Sequence, residues 1–403
     1  MPYLMLLLVT LCFMTTSGDS LLYSMVIQMV MREWHLTGVV AAMLGFGPVA
    51  AAALGGLFLG RVQDLYGRRT AMITSMAILG VFSILTGLSR HPGWLAVART
   101  GSGFALGGTW TAAMALIGES WPDSSRGRAL AVVQIGFPLG YISAALVSYL
   151  AIPWLGWRGA FLADGLLAGL ELLAVVLFLP ESPLWRVSER SANPGSASGL
   201  ELLFADRATR RIVIVASVIS FLGTYGYWAG MTWVPSYLKE VGFRPETVPL
   251  LMSVILLGAL LGYPLFGILG DRWGRKVTFQ CFFAGMGLLS IAFGLFPVIV
   301  PREANGGSSG VVAIGMALTF FSGYFSGYGP FYAELFPTRI RGAAMGFSFN
   351  IGRLGSAIGP VVSGAIIPYL GIGGAIALAG IGFGIAILLV RALPETVGMR
   401  LGT

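Results

Sequence analysis

The sequence predicts an all-α membrane protein with twelve transmembrane helices in two pseudo-symmetric six-helix bundles. The prediction rests on composition, on the spacing of apolar runs and on an internal repeat. Of the 403 residues, 56% are hydrophobic and 10% are charged, whereas soluble domains carry about 25% charged residues. A chain with so few charges cannot cover a water-facing surface, so lipid is the expected solvent.

Apolar runs separated by charged or Pro/Gly-containing segments mark the helices, since a span needs roughly 20 apolar residues. The first six predicted spans are 3–31, 38–59, 70–89, 94–118, 128–150 and 158–179. The last six are 211–237, 247–269, 277–299, 310–333, 342–367 and 373–392.

The net charge of +8 does not indicate nucleic-acid binding, because the basic residues are spread over short connections between spans. Most of them fall on one set of alternate connections, which is the asymmetry that orients membrane proteins. It predicts a multi-pass protein of the plasma membrane with both termini in the cytoplasm.

An internal repeat divides the chain. Three segments recur in the same order: Gly60–Arg69 with Gly267–Lys276, Glu119–Gly127 with Glu334–Gly342, and Leu179–Glu181 with Leu393–Glu395. We therefore predict a first half at 1–180, a cytoplasmic linker at 181–210 and a second half at 211–403.

The sequence lacks the motifs that are typical of several other classes of protein. It contains no GxxxxGK[ST] segment for a nucleotide phosphate, no nucleophile–base constellation and no metal-ligand spacing. We expect no enzyme, no metal and no cofactor. A membrane sensor needs a sizeable soluble output region, and the linker and the short C-terminal tail are too small for one.

The repeated loop Gly60-x3-Asp64-x2-Gly67-Arg68-Arg69 and its second copy carry the G-x-x-x-D-x-x-G-R-R/K pattern. This pattern, together with Pro180-Glu181-Ser182-Pro183-Leu184-Trp185, resembles the major facilitator superfamily over nearly the whole chain. The resemblance implies secondary transport by two six-helix bundles that rock about a central site. Gly18-Asp19 and Gly352-Arg353-Leu354-Gly355 resemble the proton-coupled metabolite symporters of aromatic acids and sialic acid; sugar porters are more distant.

Ionisable residues inside spans cost free energy and so indicate function. Asp19, in the first span, is a candidate proton carrier, and Arg99, in the fourth, is a candidate for coupling with it. Arg353 and Asn350, in the eleventh span, are candidate contacts for an anionic substrate, because a guanidinium presents a planar fork to a carboxylate. Alternatively, both arginines pair with protein carboxylates such as Asp19.

Further candidate substrate contacts lie on helices that form the cavity in the resembled fold, although aromatic residues in spans more often serve packing. They are Tyr23, Gln134, Tyr141, Tyr225, Trp228 and Tyr328.

The repeated loops are candidates for gating. The predicted gating residues are Asp64, Gly67, Arg68, Glu119, Arg126, Asp271, Gly274, Arg275, Glu334 and Arg341. We expect Asp64 to pair with Arg68 and Asp271 with Arg275. We further expect the pairs Glu119–Arg126 and Glu334–Arg341.

These observations favour a monomeric, proton-coupled importer of a small organic anion that works by alternating access. Its partners would be the carboxylate substrate, the proton and membrane lipid, with no nucleic acid. A sugar or neutral-metabolite carrier and a proton-driven efflux antiporter remain alternatives.

Overall fold

A computed structural model describes residues 2–190, 203–244, 247–299 and 307–399, and within these ranges the regular structure is helical. The first half contains α1 (Pro2–Trp34), α2 (Gly38–Tyr66), α3 (Arg68–Gly87), α4 (Pro92–Ser120) and α5 (Arg126–Phe178). The short α6 (Pro183–Arg190) follows. The second half contains α7 (Arg207–Met231), α8 (Val234–Glu240), α9 (Val248–Arg272), α10 (Arg275–Ile299), α11 (Gly307–Phe321), α12 (Phe325–Leu335), α13 (Arg341–Ala379) and α14 (Ile381–Arg391).

The described part of the chain has nine segments that are long and apolar enough to cross a membrane. Two of them, Asp123–Phe178 and Arg341–Arg391, are 56 and 51 residues long, which is enough for two crossings each. The 29 residues of α4, outside that set, cover the fourth predicted span. With two crossings in each long segment and α4 added, the described residues provide the twelve transmembrane helices of the predicted all-α fold.

Gly156 and Gly371 reverse the chain inside the two long segments, where separate connections of several residues were expected. Their φ angles are 65° and 69°, a left-handed conformation that glycine adopts at little cost. A Cβ at either position would meet nothing within 4 Å, so the backbone angle alone requires glycine. The turns are shorter than predicted because one such residue replaces a loop.

The chain separates into two compact units. The first comprises Met1–Val213, Gly329–Asn350 and Met399–Thr403, and the second comprises Ile214–Tyr328 and Ile351–Gly398. The predicted boundaries at 180 and 210 stay a prediction, since 191–202 of the linker lie outside the described residues. The described part of the linker begins with α6.

Small residues let helices of the first unit pack closely. A Cβ on Gly55 of α2 would collide with the backbone of Phe104, and one on Gly107 of α4 would collide with the backbone of Ala52. Such close backbone approach favours helix association in lipid. It fixes α4, and with it Arg99, against α2.

Aromatic rings fill the core of the second unit. Phe266 lies 5.0 Å from Phe279 and 4.9 Å from Phe282, measured between ring centroids. Tyr324 packs 4.8 Å from Phe283. Edge-to-face and tilted ring pairs of this kind stabilise a core beyond the area they bury.

Candidate functional site

Asp19 and Arg99 form a buried ion pair between α1 and α4. Nη1 of Arg99 lies 2.6 Å from Oδ2 of Asp19, and its Nη2 donates to the Asp19 carbonyl oxygen at 3.0 Å. The two side chains are 0% and 1% exposed. One guanidinium thus holds both the side chain and the backbone of Asp19, and the coupling residues predicted from sequence are in direct contact.

The pair leaves polar atoms unused. Oδ1 of Asp19 and Nε of Arg99 are buried, and neither has a hydrogen-bond partner among the described residues. The Arg99 guanidinium lies 5.1 Å from the ring centroid of Phe161 and 5.9 Å from that of Tyr23. Cation–π contact stabilises the desolvated charge, and it assigns the predicted Tyr23 a position beside the pair.

Two further carboxyl groups lie on α5 after its turn. Asp164 is 1% exposed and Glu171 is 8% exposed. Thr15, one turn before Asp19 on α1, donates to Oε1 of Glu171 at 2.7 Å. Neither acid was selected as a site residue from sequence. Their spacing of seven residues, which places two side chains on one helix face, was the available signal.

Gln134 has the partner that a lone amide in an apolar run requires. Its Oε1 accepts from Nε1 of Trp110 at 3.0 Å. Trp110 in turn stacks on Phe349, with ring centroids 3.7 Å apart. Asn350 is fully buried, donates to the Gly346 carbonyl oxygen at 2.9 Å and has an Oδ1 without a partner in the described residues.

The remaining candidates from sequence differ in burial. Tyr141 is 40% exposed, whereas Tyr328 is fully buried and donates to the Ile219 carbonyl oxygen at 3.4 Å. Tyr225 and Trp228, on α7, and Arg353, on α13, are half-buried. Tyr225 stacks on its neighbour Phe221, and Trp228 packs edge-on against Tyr227. Their roles as substrate contacts stay predictions.

The repeated loop of the first half carries a buried network of charges. Arg68 donates from Nε and Nη2 to the two carboxylate oxygens of Glu119 at 3.0 and 2.8 Å. It also lies 3.4 Å from Asp64, as predicted. Nη1 of Arg341 donates to Oε1 of Glu119 at 2.6 Å, so this carboxylate binds two guanidinium groups.

The expected pairs Glu119–Arg126 and Glu334–Arg341 were wrong, because the partners are exchanged between the copies of the repeat. Arg126 pairs with Glu334 at 3.3 Å and with Asp123, while Glu119 pairs with Arg341. A repeat shows which charges correspond, but it does not show whether a charge bonds within its own copy or with the other.

Asp64 acts as a cap for another helix. Its two carboxylate oxygens accept from the backbone N–H groups of Gly342 and Ala343, at 3.0 and 2.9 Å. These groups belong to the first turn of α13, where N–H donors have no partner inside the helix. The bond ties the end of α2 to the start of α13 within the first unit.

A glutamate caps the helix that follows the repeated loop in each half, a function that was not predicted from the sequence. Glu181 accepts from the backbone N–H groups of Arg68 and Arg69, and Glu395 accepts from those of Arg275 and Lys276. Burial alone would raise the pKa of Glu395, but these N–H donors hold it below its ordinary value. The sequence does carry a signal for this cap, because a Pro-Glu segment and a Gly-Arg segment recur together in both halves.

Gly67 and Gly274 precede the capped helices with φ angles of 101° and 97°. A Cβ on Gly67 would collide with the Glu181 carboxylate, and one on Gly274 would crowd Glu395. In the second loop, Arg275 lies 2.9 Å from Asp271, the pair that the sequence predicted. The glycines therefore provide both the turn and the space for the capping carboxylate.

Comparison with known proteins agrees with this architecture. The sequence matches the family described as Major Facilitator Superfamily over residues 7–298 and 238–400. A "Putative metabolite transport protein" of Haemophilus influenzae is 30% identical, over 95% of this chain and 94% of its own length. A "Cis,cis-muconate transport protein" of Acinetobacter baylyi is 29% identical, over 95% of this chain and 91% of its own.

A "Probable 4-methylmuconolactone transporter" of Cupriavidus pinatubonensis is 28% identical, over 96% of this chain and 89% of its own. Among solved structures, a proton:xylose symporter bound to 6-bromo-6-deoxy-D-glucose has a TM-score of 0.80 at 18% identity, covering 99% of this chain and 97% of that one. The structural likeness establishes the fold, and the sequence matches establish the relationship. The chain belongs to the major facilitator superfamily and is a multi-pass membrane transporter, not an enzyme.

Proposed function

We propose that this protein is a proton-coupled symporter that carries a small organic carboxylate across the plasma membrane by alternating access, with both termini in the cytoplasm. The buried pair of Asp19 and Arg99 is the observation that carries the proposal. A charge at the bilayer centre costs about 2.5–3.5 kcal/mol on insertion scales. A pair of charges held there therefore needs a functional reason.

Asp19 is the proposed proton carrier. One of its oxygens bonds Arg99, while Oδ1 is buried without a partner in the described residues. Oδ1 is therefore the oxygen at which we propose that the proton binds.

Protonation of Asp19 would release Arg99. A neutral acid no longer attracts the guanidinium by charge, although it can still accept a hydrogen bond. Arg99 would then be available for a new partner, and the state of α4 relative to α1 would depend on the proton. In this scheme proton binding and helix movement are thermodynamically linked.

Arg353 is the proposed contact for the carboxylate. It lies about three turns into α13, near the middle of the predicted eleventh span, and its guanidinium can bind a carboxylate through two parallel hydrogen bonds. Asn350, one turn earlier, adds a neutral hydrogen-bonding group. The relatives named for cis,cis-muconate and 4-methylmuconolactone support an organic acid as the substrate class.

The loop network is the proposed gate. Glu119 binds Arg68 and Arg341, and Asp64 caps α13, so the ends of α2, α4 and α13 are held together in this state. Opening that end would require these bonds to break. Charge-assisted bonds contribute about 1.5–3 kcal/mol each, which is a range that ligand binding can offset.

Uptake by proteoliposomes tests the proposal. A panel of radiolabelled carboxylates, including cis,cis-muconate, and neutral sugars is offered with and without an inward proton gradient. We expect one or more carboxylates to accumulate only with the gradient. Arg353→Ala should raise the KM for that carboxylate about 10- to 100-fold, since a bond to a charged group is lost.

Two outcomes would contradict the proposal. Accumulation of a neutral sugar that is insensitive to Arg353→Ala would favour the sugar carrier. Export of a carboxylate that is driven by the inward proton gradient would favour the antiporter. Arg353→Lys is the matched control, because it keeps the charge and loses only the planar fork.

A further inference from the structure

Beyond Asp19, the first half buries acid groups that the transport scheme above does not use. Asp164 and Glu171 lie on α5 after its turn at Gly156, and both side chains are more than nine-tenths buried. Oδ2 of Asp164 and Oε2 of Glu171 have no hydrogen-bond partner in the described residues. Each acid therefore has one buried oxygen that no donor satisfies.

The three acids form two layers along α1 and α5. Asp19 and Thr15 are one turn apart on α1, and Asp164 and Glu171 are two turns apart on α5, or about 10 Å at 1.5 Å per residue. Thr15 donates to Glu171, which joins the second layer. Asp164 interacts electrostatically with both Asp19 and Glu171. A change of charge in one layer therefore affects the other.

The charges in this region do not balance when all three acids are ionised. Arg99 bonds Asp19 directly, and its single positive charge cannot neutralise three carboxylates. A buried carboxylate without a bonded cation is costly. The remaining acids are therefore candidates to bind protons.

Among the residues that the structure describes, the other groups near Glu171 include no second cation. On α1 they are Thr15 and Cys12, whose thiol lies within electrostatic range of the carboxyl group. On α5 the titratable neighbour is Asp164. From Thr70 to Gly87, α3 carries no titratable side chain. Arg68 and Arg69, at the start of α3, bond Glu119 and the Val176 carbonyl oxygen respectively.

We propose that Glu171, held by Thr15, is a second proton-binding site of the transporter. It lies between Asp19 and the end of the first half that carries the repeated loop. The proposal rests on the proton coupling proposed above and adds a residue to it. Seven residues separate Glu171 from Phe178, where α5 ends beside the capped start of α3. A proton that leaves Asp19 toward that end passes the level of Glu171.

Infrared difference spectroscopy of the protein in lipid tests this site without any substrate. Spectra recorded over a pH titration report the C=O stretch of protonated carboxylic acids. We expect a pH-dependent band in the wild type that is lost in Glu171→Gln, which keeps the shape of the side chain and an oxygen for Thr15 but cannot titrate. Asp206→Asn, at an exposed acid outside the spans, is the matched control and should retain the band.

Thr15→Val provides a second readout that does not depend on the folding of Glu171→Gln. Loss of the Thr15 hydrogen bond should shift the band without removing it, and Glu171→Asp should retain a titrating band at a new position. Unchanged spectra in both Glu171→Gln and Thr15→Val would overturn the proposal. So would a band that responds to Na⁺ and not to pH, since that result assigns the acids to a metal cation.

Transport measurements separate this proposal from the general one. With a carboxylate that the wild type accumulates, Glu171→Gln should lower gradient-driven uptake about tenfold and leave exchange of labelled for unlabelled substrate unchanged. If no substrate shows proton coupling, the proposed function fails while the infrared result on Glu171 still stands. Equal losses of uptake and exchange would show a structural role and overturn the second site.

Discussion

The two halves of the chain share their loops and differ in what their spans bury. In the first half, Asp19, Arg99, Asp164 and Glu171 lie inside spans. The acids of the second half all fall outside its predicted spans: Glu240, Glu246, Asp271, Glu303, Glu334 and Glu395. The second half instead buries a cluster of aromatic rings around Phe266.

This difference indicates where the specific chemistry resides. The capped loops occur in both copies, and in each half they form a tight connection between the second and third spans. The interiors have diverged, which places the titrating groups of our proposal in one half. In a duplicated fold, the positions at which the repeat fails are the ones to test for function.

The largest effect is expected from Asp19→Asn, which removes the acid that bonds Arg99. Loss of one partner of a buried ion pair costs about 3–5 kcal/mol, so the melting temperature should fall. Uptake driven by a proton gradient should drop to the level of empty liposomes, because the titrating group is gone. Accumulation of substrate at the wild-type level in this variant would contradict the proposed difference between the halves. Asp206→Asn serves as the control.

Gly67→Ala tests the shared loop. Alanine at φ 101° and ψ 156° costs about 1–3 kcal/mol, and here its Cβ would also displace the Glu181 carboxylate from the start of α3. Gly156→Ala has the same backbone strain and open space around the Cβ. Thermal unfolding should therefore show a larger loss for Gly67→Ala, and equal losses would contradict the capping function of Glu181.

Asp64→Ala and Asp271→Ala compare the same loop position in the two halves. Removal of the Asp64 carboxylate leaves two N–H groups of α13 without this acceptor, at a cost of about 1–2 kcal/mol. We expect the balance between inward- and outward-open states to shift, measured by labelling engineered cysteines from each side of the membrane. Unchanged labelling and transport in Asp64→Ala would contradict the proposed gate, and Asp271→Ala shows whether the second loop has the same effect.

The smallest effect is expected from Glu181→Gln and Glu395→Gln. A glutamine oxygen can still accept from the backbone, so each variant loses only the charged part of the cap, about 0.3–1 kcal/mol. The two melting temperatures should fall by similar amounts. A fall in one alone would show that the loops, although alike in sequence, do not stabilise the halves equally.

The fold could be predicted from sequence because lipid imposes length and hydrophobicity on every span. The turns at Gly156 and Gly371 could not, since a glycine at positive φ looks the same in a sequence as one inside a helix. Composition sets the number of crossings, whereas a single backbone angle decides how two of them are joined.

The site was predictable residue by residue and less so pair by pair. Asp19 and Arg99 were identifiable because ionisable groups inside spans are costly, and the structure places them together. The exchanged partners of Glu119 and Arg126 were not, because the two copies offer the same charges. Gln134 needed a partner, but nothing in the sequence distinguished Trp110 from other donors.

The turn at Gly156 also bears on how the protein is made. Both limbs of α5 join through one residue, so no spare chain exists to form a loop between two separately inserted helices. We therefore expect the limbs to enter the bilayer together as a hairpin, and we expect the same for α13 at Gly371. Buried acids on the second limb of α5 would then be delivered into the membrane alongside the first limb, before later helices of the chain have been synthesised.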